Sequence, residues 1–139
     1  MLTKTSEYAL HALVYLAQNQ HEWPVPVHEI AKKTGIPPRY LSKVLRDLTR
    51  VGILNSTRGK LGGFEPARPL DEISLLETVS LFEPLEQKRC PFGKPECSDE
   101  NPCQLHEQWS SLLQERKQLL IASSLKTLVD GAENGKAGQ

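Results

Sequence analysis

Two short helical segments joined by a tight turn constrain the fold of this chain more than any other feature. Residues 27–34 have the pattern of a short helix, and Gly35 is typical of a residue that ends one. Pro37 and Pro38 then turn the chain, and Pro38 is well placed in the first turn of a second helix, which we predict over 39–51. The segment therefore predicts a helix-turn-helix.

A glycine-rich hairpin follows the second of these helices directly. Gly52 ends the helix, and residues 53–67 predict a β-hairpin because three of the five residues 59–63 are glycine. Arg58 and Lys60 lie at its tip. The apolar stripe of the preceding helix, which we predict to be core, consists of Leu41, Val44, Leu45 and Leu48. A helix-turn-helix followed by such a hairpin is a winged helix.

Helical patterns also flank this motif on both sides. An apolar stripe that begins at Tyr8 predicts a first helix that ends near Asn19. Residues 70–82 predict a fourth helix, with Asp71 or Ser74 as its cap. We expect this fourth helix to pack on the winged domain.

The last predicted helix is the longest. Residues 104–130 carry apolar side chains at helical spacing over about 25 positions, a larger apolar face than one winged helix covers. We interpret it as the dimerisation helix of a homodimer. The predicted fold is mostly α: a winged helix-turn-helix with a long C-terminal dimerisation helix. We assign the winged domain to 1–83, a cysteine-rich loop to 84–103, the dimerisation helix to 104–130 and a disordered tail to 131–139.

Charge is divided unevenly along the chain, although the net charge is zero. Residues 1–69 carry ten Lys or Arg against five Asp or Glu, and residues 70–139 carry seven against twelve. A basic front half favours contact with a polyanion, although ordinary surface scatter can produce the same difference. We predict that double-stranded DNA is bound by Arg39, Tyr40, Ser42, Lys43, Arg46, Arg58 and Lys60. For Arg58 and Lys60, solvated loop charges are the alternative, and their place after the second helix favours phosphate or minor-groove contact.

All three cysteines lie in one polar loop. Their spacing is Cys90-x6-Cys97-x5-Cys103, with His106 three residues later. Phe92 is the only large apolar side chain among the cysteines, so the loop cannot order itself by burial. An odd number of clustered cysteines fits a disulfide framework poorly and favours metal binding or redox sensing. Three thiolates and an imidazole could bind a metal centre that orders the loop.

Several of these segments together resemble a known family. They are GIPPRYLSKVLRDLTRVGIL, the hairpin STRGKLGGF with the downstream ARPLDEISLLETV, and the cysteine loop before a long helix. These segments resemble the IscR/NsrR/RirA family of dimeric bacterial winged-helix regulators, over Leu2 to about Val129. The resemblance implies an iron–sulfur cluster, of the 2Fe–2S or 4Fe–4S type, held by Cys90, Cys97 and Cys103. The x6 spacing after Cys90 is one residue longer than the spacing common in the family.

The resemblance leaves three candidates for the fourth ligand. His106 matches the histidine of the IscR branch, and Glu7 matches the carboxylate that the NsrR branch takes from the first helix of the partner subunit. Glu7 with His11 resembles the glutamate and histidine pair of a redox-sensing relative. Glu7 and His11 are four residues apart and share one helix face. A local pair on a solvated face, and a surface histidine at 106, are the alternatives.

The function expected is that of a DNA-binding transcriptional repressor whose operator affinity follows a cluster that senses redox state, nitric oxide or iron–sulfur status. A structural Cys3His zinc site is one alternative, although the loop has no tight Cys-x2–4-Cys knuckle. A cluster-free thiol switch is another. We expect no enzyme and no small-molecule substrate, because no nucleotide-binding glycine fingerprint or nucleophile–base pair is present. No apolar run reaches the roughly 18 residues of a membrane span, and the start does not resemble a secretion signal, so we expect a cytoplasmic protein.

Overall fold

The structure is a computed structural model that describes residues 2–85, 92–93 and 100–137, with side chains through residue 131. These residues form six helices and one two-stranded sheet. In chain order the elements are α1 Lys4–Gln18, α2 Val27–Thr34, α3 Pro38–Arg50, β1 Leu54–Thr57, β2 Gly63–Pro66, α4 Leu75–Phe82, α5 His106–Ala122 and α6 Leu125–Ala137. The mostly α, winged helix-turn-helix prediction is confirmed. None of the described helices is long and apolar enough to cross a membrane.

The helix-turn-helix forms where the sequence predicts it. Gly35 ends α2 in the left-handed conformation, with φ of 76°, and its backbone N–H donates to the Ala31 carbonyl at 2.8 Å. Pro38 occupies the first turn of α3, where its missing N–H costs nothing. The predicted core stripe of α3 is buried, at 2 % exposure or less for each of Leu41, Val44, Leu45 and Leu48.

The hairpin, which we call the wing (residues 54–66), is fastened to the loop that precedes α2. Its strands are antiparallel, in a register that pairs Leu54 with Pro66. Val25 and Phe64 exchange two backbone hydrogen bonds, of 3.0 and 2.8 Å. A Cβ on Gly63 would lie 2.3 Å from the Val25 carbonyl carbon. Only glycine therefore allows β2 to approach this loop so closely.

The main hydrophobic core draws on most of the chain. It joins α1, α2, α3, the wing and α6, and the buried residues from α6 are Leu125 and Val129. A smaller cluster of Leu75, Val79 and Leu120 packs α4 against α5. α4 begins at a capping box in which Ser74 and Glu77 bind each other's backbone N–H groups, so Ser74 rather than Asp71 is its cap.

The single helix predicted over 104–130 is wrong, because the structure divides it into α5 and α6. Ser123 is extended, and Ser124 forms an isolated antiparallel bridge with Ser74. The Leu75 N–H donates to the Ser123 carbonyl at 2.9 Å. α6 then turns back and packs on α1, and it continues to Ala137, into the predicted tail at 131–139. Most of the predicted loop at 84–103, and residues 138–139, lie outside the described residues.

Candidate functional site

The face of α3 opposite its buried stripe carries most of the residues that we predicted to contact DNA. Arg39, Lys43 and Arg46 are exposed, Tyr40 is 42 % exposed and Ser42 is half-buried. The helix therefore presents three cations on a face that the core leaves uncovered. That these side chains contact DNA stays a prediction.

The tip of the wing presents two further cations. Arg58 and Lys60 are both exposed, and the turn between the strands is closed by a 3.0 Å bond from the Gly62 N–H to the Gly59 carbonyl. Leu61, to which sequence analysis gave no role, is 89 % exposed beside Lys60. The only sequence signal for it is an apolar residue inside a glycine-rich polar turn.

Tyr40 is held by α1. Its hydroxyl shares a hydrogen bond with the Thr5 hydroxyl. Its ring meets that of Tyr8 edge to face, with 5.3 Å between centroids and 81° between planes. Lys4 Nζ in turn lies 5.3 Å from the centroid of the Tyr8 ring. The start of α3 is thus tied to the first turns of α1, a link that the sequence does not reveal.

Glu83, directly after α4, is buried beside the start of α1. Its Oε2 accepts hydrogen bonds from the Thr3 backbone N–H at 2.8 Å, the Thr3 hydroxyl at 2.8 Å and the Ser6 hydroxyl at 2.6 Å. Its Oε1 lies 3.4 Å from Nη1 of Arg116 on α5. Burial by itself raises the pKa of Glu83, but the hydrogen bonds from Ser6 and Thr3 and the charge of Arg116 outweigh it. They hold the pKa below its usual value.

Only part of the predicted metal set lies in the described residues. Cys90 and Cys97 are outside them, whereas Cys103 is half-buried and His106 is the first residue of α5. The His106 backbone N–H donates to the Cys103 carbonyl at 3.2 Å, so one turn of chain joins the two residues. Phe92 contacts the same helix. Its ring meets that of Trp109 edge to face, with 5.6 Å between the centroids and 83° between the ring planes.

Glu7 and His11 lie on α1, four residues apart. The Glu7 carboxylate lies 3.8 Å from Lys4 Nζ, and His11 is exposed. Within the described part of the chain, no three His, Cys, Asp or Glu side chains lie close enough together to hold a metal ion. The choice between Glu7, His11 and His106 as fourth ligand stays a prediction.

Comparison with known proteins places the chain in a family. The Rrf2 family model, described as an iron-dependent transcriptional regulator, matches residues 2–131. The HTH-type transcriptional regulator IscR of Xenorhabdus nematophila is 32 % identical over 133 residues, which cover 95 % of this chain and 80 % of the relative.

Two solved structures share the fold. That of IscR from T. potens has a TM-score of 0.76 at 23 % identity and covers 97 % of this chain and 90 % of its own. CymR, the global cysteine regulator of B. subtilis, has a TM-score of 0.76 at 22 % identity, over 94 % of this chain and 96 % of its own. The predicted IscR-type family is confirmed: the chain belongs to the Rrf2 family, whose members are transcriptional regulators and not enzymes.

Proposed function

We propose that the protein is a homodimeric repressor that binds double-stranded operator DNA through α3 and the wing, with an affinity set by an iron–sulfur cluster. The observation that carries the proposal is the exposed cationic face of α3, on a helix whose other face is core, followed directly by a cationic wing. Such cations neutralise phosphates and orient a helix in the major groove.

The dimer is supported by the composition of α5. Among its described residues only Leu120 is buried, although the helix has 17 residues. Leu105, Leu112 and Leu119 lie seven residues apart, each between 42 and 65 % exposed. A seven-residue spacing places them in one stripe, as in helices that pair with another helix. A second copy would cover this stripe and would present two recognition helices to two half-sites.

The cluster is supported by the donor chemistry. Cys90, Cys97 and Cys103 would hold it through their thiolates, which are the usual ligands of iron–sulfur centres. Cys103 and His106 are three residues apart, and a backbone hydrogen bond joins them in one turn at the start of α5. When bound, the cluster would supply a centre that responds to oxidants, nitric oxide or iron–sulfur status. The protein residues would hold it and order the loop around it.

The fourth ligand would come from His106 of the same chain, or from Glu7 or His11 on the first helix of a second copy. The second arrangement would set a side chain on α1 of one copy against the cysteines of the other. It would make cluster binding depend on the dimer.

A heterodimer tests this choice. One chain carries His106→Ala and the other carries Cys103→Ser. Ligation from the first helix of the other copy leaves one intact site of the two, and therefore half of the visible absorbance, whereas ligation by His106 within its own chain leaves none. The Glu7→Ala homodimer is the control: it should lose both sites if Glu7 is the ligand, and keep both if His11 or His106 is the ligand.

A cluster-free thiol switch is the second candidate, because one structural neighbour is CymR of Staphylococcus aureus, solved in an oxidized form. We would purify the full chain without oxygen, record its visible spectrum and determine iron, acid-labile sulfide and zinc. Visible bands with equal iron and sulfide support the cluster. A colourless protein without metal supports the thiol switch, and a colourless protein with one zinc per chain supports a structural zinc site; either result contradicts the cluster.

A further inference from the structure

We infer that Glu83 is a positioning residue for DNA binding: by holding the first turn of α1, it fixes Tyr40 at the start of α3. The inference rests on the proposed function, because it concerns the affinity of α3 for DNA. Glu83 itself is buried and lies after α4, so it acts through other residues.

The first step joins Glu83 to the start of α1. Thr3 is the N-cap of this helix, and its hydroxyl oxygen accepts the Ser6 N–H at 3.2 Å. The same two residues donate three hydrogen bonds to one carboxylate oxygen of Glu83. Because donors from the cap and from the first turn converge on one buried atom, Glu83 fixes where the helix begins.

The second step joins the start of α1 to α3. Thr5 lies between the two residues that bind Glu83, and Tyr8 follows in the next turn. These two side chains make the hydrogen bond and the edge-to-face contact that hold Tyr40. A shift of the first turn of α1 would therefore displace Tyr40, which lies two residues after Pro38 at the start of α3.

The third step is a void at the same place. A cavity of about 140 Å³ lies between α1, α3 and the end of α4, lined by Thr5, Tyr40, Lys43, Val44, Asp47 and Phe82. Side chains that border this cavity have no packed neighbour on that side. Beside the buried Leu41, Tyr40 is therefore held against α1 by the Thr5 hydroxyl and the Tyr8 ring, and Phe82 places the residue before Glu83 at the same cavity.

Glu83 also connects this network to α5. Its second carboxylate oxygen lies 3.4 Å from Arg116 Nη1. A displacement of α5 would therefore reach α3 through the carboxylate. Such a route requires that substitutions at its two ends, Glu83 and Thr5, have non-additive effects on DNA affinity.

Glu83→Gln tests the inference with little change of shape. Thr3 N–H and Arg116 Nη1 can only donate, and they face opposite oxygens of Glu83. A glutamine amide has one oxygen and one NH2 group, so in either orientation its NH2 group faces one of these two donors. Glu77→Gln is the matched control, because Glu77 lies in the first turn of α4, at the end away from Glu83. Like Glu83, it accepts hydrogen bonds on one oxygen, from Ser74, and pairs with an arginine, Arg68, on the other.

The experiment measures affinity for a duplex that the wild-type protein selects from a random pool, at a temperature where circular dichroism shows every variant folded. We expect Glu83→Gln to weaken binding at least about fivefold, with an unchanged slope of log K against log salt because no phosphate contact is lost. Glu77→Gln should bind as the wild type does. Thr5→Val should weaken binding too, and the double variant Thr5→Val/Glu83→Gln should be no weaker than the weaker single variant.

A second readout separates positioning from general destabilisation. In protein with labelled tyrosine, Glu83→Gln should shift the ring resonances of Tyr8 and Tyr40 and leave Tyr15, which binds Glu22 at the far end of α1, in place. If Glu83→Gln does not fold, Ser6→Ala removes one of the three hydrogen bonds and should act in the same direction.

Wild-type affinity in the Glu83→Gln variant, or losses that multiply in the double variant, would overturn the inference while leaving the proposed function intact. Failure of the wild type to select any duplex would overturn both.

Discussion

The backbone N–H of Leu125 donates to the Ile73 carbonyl at 2.8 Å, across the break between α5 and α6. With the reciprocal bond from Leu75 to Ser123, it joins the end of α5 to the start of α4. The Leu125 side chain is fully buried in the main core. α6 is therefore part of the winged domain, whereas Leu120 of α5 is buried against α4 in the smaller cluster.

Leu125→Ala should destabilise the protein by about 2–5 kcal/mol, because it leaves a cavity where α6 meets the core. Denaturant unfolding at a fixed protein concentration measures the loss. Leu61→Ala, the same substitution at the most exposed large apolar side chain among the described residues, should change the free energy of unfolding by less than about 0.5 kcal/mol. Equal losses at the two sites would show that α6 does not pack as described.

Leu112→Glu should convert the dimer to monomer, since it places a charge in the centre of the exposed stripe of α5. Sedimentation velocity at micromolar concentration measures the mass. The control is Gln114→Glu, which adds the same charge at an exposed position on the opposite face of the helix and should leave the dimer intact. A wild type that sediments as a monomer, or a Leu112→Glu variant that stays dimeric, contradicts the assignment of α5 to the interface.

The lowered pKa of Glu83 predicts a loss of stability in acid. The folded protein keeps this carboxylate ionised below the pH at which the unfolded chain, with a Glu pKa of about 4.3, takes up a proton. The stabilisation that ionised Glu83 gives to the folded protein is therefore fully present above that pH. It declines as the pH falls toward the lower pKa of the folded state. The difference in unfolding free energy between the wild type and Glu83→Gln should be constant from pH 7 to 5 and shrink below. A difference that grows on acidification would mean that the folded pKa is raised.

Lys60→Ala should reduce the salt dependence of DNA binding. Each phosphate contact that is lost lowers the slope of log K against log salt by about 0.9. Lys126→Ala removes the same charge from an exposed position on α6, and it should leave the slope unchanged. Equal slopes for wild type and Lys60→Ala would place the wing tip away from the phosphates.

The elements with local signals were predictable from the sequence. Gly35 and Pro38 define the turn of the helix-turn-helix by their own backbone preferences, and the glycines of the wing do the same for the hairpin. The buried stripe of α3 follows from helical periodicity alone. The candidates for DNA contact on α3 lie outside that stripe, so the same periodicity predicted that they are not core.

The break after α5 was not predictable, because Ser123 and Ser124 are only weak helix breakers and the break is stabilised by hydrogen bonds to residues about 50 positions away. Glu83 was missed for the same reason: its partners are 77 to 80 residues before it and 33 after it. In sequence it is one acidic residue among many. Tyr40 was predicted as a DNA contact, and its hydroxyl is bound to Thr5.

The most direct test of the proposed regulation compares DNA affinity with and without the cluster in one anaerobic preparation. Fluorescence anisotropy would be measured on the selected duplex before and after the iron is removed by a chelator, while the visible spectrum reports cluster content. Cys103→Ser, which lacks one proposed thiolate ligand, is the control and should not respond. We predict a change in affinity of at least about fivefold that follows the loss of visible absorbance. If the DNA affinity of the wild-type protein does not change while its visible absorbance disappears, the result would contradict control of DNA binding by the cluster.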